Sequence, residues 1–213
     1  SAVLMLVFKD TITGLAAGVR LTSNDMLHKG DWITVKSVDA NGIVEDMSLT
    51  TVKVRNFDNT IVTISPTTLV NGSFQNWIGM QKSGGRRVKR VVYFDFRSVR
   101  LVDETLKRNL LAKHFATEDS FKLKESLQKA IDKDIQEGND IEDLKNPAAL
   151  APTNLQLYRK FMEKYLRQRP EVNTDLTLMV RHMEATQCGL PIEFYFFIKD
   201  KVWVNYEHIL ADI

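Results

Sequence analysis

GDWITVKSVDANGIVEDMSLTTVKVRNFDNTIVTIS, residues 30–65, is the stretch on which the fold turns. Valine, isoleucine and threonine crowd it, and β-branched side chains suit a pleated, half-buried surface. Val52 and Val54 alternate with Lys53 and Arg55, the period-two pattern of a strand with one wet face. Asn41-Gly42 and Asp58-Asn59 carry the signals of hairpin turns. The stretch therefore predicts three or four short antiparallel strands forming a small barrel or half-barrel. Pro66 ends the last strand and a short turn through Leu69 follows.

On the N-terminal side, FKDTITGLAAGVRL (8–21) predicts a helix with two distinct faces. Gly14, Ala17 and Gly18 fall on one, and Ile12, Leu15 and Val19 on another. Small residues let neighbouring helix backbones approach closely. The run AVLMLVF (2–8) is shorter than the roughly 20 apolar residues a membrane span needs. It starts without a cap or a preceding basic segment, so no signal peptide is expected. The polar segment LTSNDMLHKGD places a boundary near residue 29.

On the C-terminal side, QKSGGRRVKR (81–90) reads as a hinge and a second boundary. VKRVVYFDFR (88–97) then predicts a strand with Val92, Phe94 and Phe96 on one face. A helical region fills residues 103–168. Its clearest member starts at Pro152 and Thr153, with Gln156 completing a capping box and Leu155, Tyr158, Met162 and Tyr165 as its apolar stripe. DLTLMVRHMEA (175–185), with Leu176, Leu178 and Val180 together, and LPIEFYFFIKD (190–200), with Ile192, Phe194, Phe196 and Ile198 together, predict two paired strands. Gln187, Cys188 and Gly189 lie in the turn between them. A last helix starts near Val204, and its apolar spacing runs to Ile213 without a stop signal, so both ends read as truncations of a longer protein. Strand, helices, two strands and helix form the β-α-β-β-α order of the ferredoxin-like class. The long helical part implies an insertion at about 116–150.

At 213 residues, 44% hydrophobic and 26% charged, the composition is that of folded domains. A net charge of +2 points to no anionic partner. The single cysteine, Cys188, excludes an internal disulfide. His28, His114, His182 and His208 are scattered, with no metal-ligand spacing among them. The acidic run DKDIQEGNDIED (132–143) lacks the glycine position and closing glutamate of a calcium loop. Gly84-Gly85 precedes a strand where a phosphate loop would follow one. Neither a catalytic site, a metal nor a cofactor is expected, and the chain is not read as an enzyme. Arg86, Arg87, Lys89 and Arg90 carry the alternative reading, a nucleic-acid-binding module, but no aromatic platform is interleaved with them.

The ordered set LAAGV (15–19), Gly30-Asp31, Gly42-Ile43-Val44, Thr50-Thr51, Asp58-Asn59 and Ile61 to Pro66 resembles the small-conductance mechanosensitive channel family. The words SGGRRVKR, TLMVRHM and GLPIEFYFF resemble its miniconductance branch. That resemblance implies an α+β chain in three parts. Residues 1–29 are the end of a pore-lining helix and its connector, 30–83 an Sm-like antiparallel β-domain, and 84–213 a ferredoxin-like α/β domain. It implies a homo-oligomer, a heptamer in the full-length protein, held in a bacterial inner membrane through helices upstream, with this segment mostly on the cytoplasmic side and no nucleic-acid partner. It places the pore constriction at Ala2 and Leu6 and the inner pore mouth at Lys9 and Asp10. Gly14, Ala17 and Gly18 become the face on which sister helices pack.

Overall fold

The alternation read at residues 52–55 forms a strand whose valines are buried and whose basic residues face outward. The computed structural model describes residues 2–117, 121 and 152–213, with side chains from residue 8 on. The chain divides into two units, Ser1–Ser83 and Gly84–Ile213.

In the first unit, helix α1 (Ala2–Ser23) leads into β1 (Trp32–Val35), β2 (Ala40–Met47), β3 (Val52–Asn56) and β4 (Ile61–Ile64). Helix α2 (Pro66–Asn71), β5 (Gln75–Asn76) and helix α3 (Ile78–Lys82) complete it. The strands make one antiparallel sheet in the order β4-β3-β2-β1-β5. Leu21, Leu27, Ile33, Val44, Val54 and Leu69 are among the residues of its core.

Two local expectations change here. Asn41-Gly42 lies inside β2, and Asp39 makes the β1–β2 turn in the left-handed conformation. Gly42 is required for another reason: a Cβ there would overlap the backbone of Arg55 and Asn56. After Pro66 the chain forms α2, a short helix where a turn is expected, with Pro66 at its start and Ser65 as N-cap. Asp58-Asn59 does lie in a turn, Asn59 taking positive φ.

The second unit comprises β6 (Arg86–Phe94), α4 (Glu104–Ala112), α5 (Asn154–Gln168), β7 (Met179–His182), β8 (Leu190–Ile198) and α6 (Trp203–Ala211). Its sheet has the order β6-β8-β7, antiparallel throughout. Thr153 caps α5, its Oγ1 accepting the Gln156 N–H at 3.2 Å. Ile192, Phe194, Phe196 and Ile198 are buried together with Val88 and Val180, and Tyr158, Met162 and Ile209 pack against them. The segment 175–178 is not strand, and β7 is confined to Met179–His182. The bend begins at Asn173, whose side chain accepts the Asp175 N–H and donates to the Gly84 carbonyl. Phe96 leaves the face of Val92 and Phe94, since β6 ends at Phe94 and Phe96 enters an exposed 3-10 turn. The expected insertion, apart from residues 116, 117 and 121, and the acidic run 132–143 lie outside the described residues.

Candidate functional site

The residues singled out from the sequence cluster on α1, a 22-residue helix, and the structure separates its faces. Ala17 and Gly18 are buried, and Leu21 is fully buried in the core of the β-sheet unit. A Cβ on Gly18 would overlap the backbone of Leu49, in the loop between β2 and β3. Gly18 thus has a neighbour within its own chain. The small size of Gly18 admits the chain's own β2–β3 loop, and Ala17 is buried on the same side of the helix. Gly14 differs, with open space where its Cβ would stand.

The opposite face stays uncovered. Phe8, Ile12, Leu15 and Val19 are between 45% and 61% exposed. Steps of four, three and four residues align them in one stripe along the helix. Lys9 and Asp10 are exposed beside it. Ala2 and Leu6 lie on the first turns of α1, and their side chains are outside the described set. No described helix is long and apolar enough to cross a membrane.

Helix α1 ends in a left-handed C-cap. Asp25 takes positive φ, the Met26 N–H donates to the Leu21 carbonyl at 3.1 Å, and the Asp25 N–H donates to the Thr22 carbonyl at 3.3 Å. The connector then returns through Gly30, also at positive φ, to Asp31. Asp31 is 6% exposed. Its Oδ2 accepts the His28 N–H at 3.1 Å and Asn76 Nδ2 at 2.8 Å. Asn76 Nδ2 also donates to the Met26 carbonyl at 3.3 Å. The Gly-Asp pair thus has a physical reason. Glycine supplies the left-handed turn, and aspartate ties the helix connector to β5. Asn76 and Leu49 carry no signal in the sequence, because their partners are remote along the chain.

The basic cluster of β6 has partners within its own unit. Arg90 pairs with Glu207 at 3.6 Å, Lys89 with Glu193 at 3.7 Å, and the Arg87 guanidinium stands 6.0 Å from the Tyr195 ring. Glu193 is fully buried and accepts from Arg181 Nε at 2.6 Å. Among the described residues no group of three or more His, Cys, Asp or Glu could hold a metal ion. Cys188 is exposed and free.

The chain thus combines a helix seated on a five-stranded antiparallel sheet with a second unit of helices on a three-stranded antiparallel sheet. Residues 10–79 match the family model described as the mechanosensitive ion channel β-domain. The small-conductance mechanosensitive channel MscMJ of Methanocaldococcus jannaschii is 33% identical over 73 residues, covering 34% of this chain and 20% of that protein. An uncharacterised MscS family protein of Aquifex aeolicus is 33% identical over 111 residues, 51% of this chain and 29% of its own length. Over 99% of the chain the fold is similar to Arabidopsis thaliana MSL1, with a TM-score of 0.59, 10% identity and 56% of that chain covered. It is likewise similar to the closed-state MscS of Helicobacter pylori, with a TM-score of 0.54, 13% identity and 60% covered. Residues 10–79 thus carry the match to the mechanosensitive channel β-domain, and the chain is similar in sequence to MscS family proteins. It spans less than a third of the length of these two sequence relatives.

Proposed function

We propose that this chain is the pore-adjoining and cytoplasmic part of a channel that opens under membrane tension and releases ions and small solutes on hypoosmotic shock. The observation that carries this reading is that the matched β-domain begins on α1 itself, so the helix with the exposed apolar stripe is continuous with the family's β-domain. Copies of the chain form a ring, a heptamer in the full-length protein, in a bacterial inner membrane. Membrane-spanning helices outside these residues provide the lipid contact, and residues 30–213 lie mostly on the cytoplasmic side.

In this reading Leu6, repeated around the axis, forms an apolar ring that excludes water and so blocks ions. Ala2 stands one turn above it as a smaller, weaker ring. Lys9 and Asp10 put charge at the inner mouth. Gly14 remains available to a neighbouring helix, whereas Ala17 and Gly18 fix the helix to its own β-domain. Tension favours the state with the larger in-plane area, and it shifts the balance only by the energy difference it makes between the two states. Seating α1 on the β-domain makes the domain move with the helix. Patch-clamp recording of the full-length protein tests the proposal: pressure-activated current is expected, and its absence from well-expressed protein overturns it.

A further inference from the structure

The dipeptide Asn-Gly occurs at 41–42 and again at 71–72, and the fold gives the two copies opposite surroundings. Asparagine followed by glycine carries a latent reaction. The glycine backbone nitrogen can close on the asparagine side-chain carbon, and no Cβ on the glycine hinders the approach. Closure needs a side chain free to turn and a backbone nitrogen free to leave its partner.

At 41–42 neither condition is met. Asn41 Oδ1 accepts Trp32 Nε1 at 3.0 Å and Thr34 Oγ1 at 2.9 Å, and the Asn41 N–H donates to Asn56 Oδ1 at 2.8 Å. Gly42 lies in β2, the central strand of its sheet, opposite Ile33 of β1 and Asn56 of β3. Freeing its backbone means opening the middle of the sheet. At 71–72 both conditions are within reach. Asn71 is the last residue of α2, exposed, and its side chain has no hydrogen-bond partner among the described residues. Gly72 is exposed too, and its N–H donates to the Thr68 carbonyl at 3.1 Å. That bond closes the end of a six-residue helix, and helix ends open locally at little free-energy cost.

We infer that Asn71 is a site of spontaneous deamidation and that the sheet protects Asn41 from the same reaction. The Gly72 nitrogen gives up its proton to solvent and bonds to Asn71 Cγ. The bond from Cγ to the side-chain nitrogen breaks, and ammonia leaves with a proton taken from water. Water then opens the cyclic imide. Addition at Cγ yields aspartate, whereas addition at the backbone carbonyl carbon yields isoaspartate, in which the chain runs through the former side chain. Either product puts a carboxylate at the C-terminal end of α2, where the helix dipole disfavours negative charge. Isoaspartate also adds a methylene to the chain between Leu69, buried in the core, and Asn76, which holds Asp31.

The test incubates the whole chain in mildly alkaline buffer and follows both sites by peptide mapping with mass spectrometry. A protein-isoaspartate methyltransferase labels the isoaspartate that forms. In the folded chain Asn71 is expected to convert at least about tenfold faster than Asn41, because only Asn41 must wait for the sheet to open. In urea the difference is expected to disappear, since the two sites then share the same dipeptide chemistry. Equal rates at the two sites in the folded chain overturn the inference, as does an Asn71 that converts in urea but not in the folded chain. A difference that survives in urea also overturns it, because the flanking residues and not the fold then set the rates.

Discussion

Gly18 of α1 meets the backbone of Leu49 so closely that no Cβ fits between them. Four residues earlier Gly14 has open space. Two glycines on one face thus give opposite predictions. Gly18→Ala forces the β2–β3 loop away and destabilises the first unit. Gly14→Ala stabilises it by up to about 1 kcal/mol, since alanine favours a helix interior and nothing here resists it. Urea unfolding of the two variants decides the matter. A Gly18→Ala protein as stable as the parent means that α1 is not seated as described.

Asp31 joins the α1 connector to β5 through two hydrogen bonds to one buried oxygen. Asp31→Ala leaves the His28 N–H and the Asn76 amide without that acceptor, a loss of about 1–3 kcal/mol. Asn76→Ala removes one of the two bonds to Asp31, together with the bonds to the Met26 carbonyl and from the Ile78 N–H, and costs a comparable amount. A double-mutant cycle between the positions isolates their coupling. Full additivity of the two losses contradicts the proposed clip.

Much of this architecture is legible in the sequence because it depends on local alternation. Val52 and Val54 mark β3, and Ile192, Phe194, Phe196 and Ile198 mark the buried face of β8. The small residues of α1 announce a close approach, but not its partner. Leu49 is 31 positions beyond Gly18, and nothing in its local pattern says that its backbone meets a helix. Asn41-Gly42 misleads for a related reason. As a dipeptide it signals a turn, yet Asp39 already provides the left-handed residue, which leaves Gly42 for the close crossing with β3. Register across strands, which only the folded chain fixes, outweighs the dipeptide signal.

The stripe Phe8, Ile12, Leu15 and Val19 predicts a separation of stability from assembly. Ile12 is 61% exposed, so Ile12→Lys changes the stability of the isolated chain by less than about 0.5 kcal/mol. Under the proposed function the stripe faces neighbouring copies, and the same change in the full-length protein is expected to lower the fraction of assembled particles and alter tension-evoked current. Native mass measurement in detergent, with patch-clamp recording, reads both. An unchanged particle mass together with unchanged gating removes any role for this face.

Glu193 gives the chain an acid-sensitive contact. Its side chain is fully buried, and the hydrogen bond from Arg181, with the charges of Arg181 and Lys89, holds its carboxyl below the ordinary value of 4.5 despite the opposing effect of burial. A carboxylate depressed on folding contributes stability that is complete above its unfolded value and disappears as pH falls through its folded one. Glu193→Gln removes that contribution and leaves Arg181 and Lys89 facing a neutral amide. The stability difference between parent and variant is therefore constant from neutral pH down to about 5 and shrinks below 4.5. Asp58 and Asp95 are also depressed, by Thr60 and Arg97 respectively, but their titration is common to both proteins and cancels in the difference. Denaturant unfolding at a series of pH values measures it. A difference that stays the same from pH 7 to 3 shows that the Arg181–Glu193 pair does not govern the acid response.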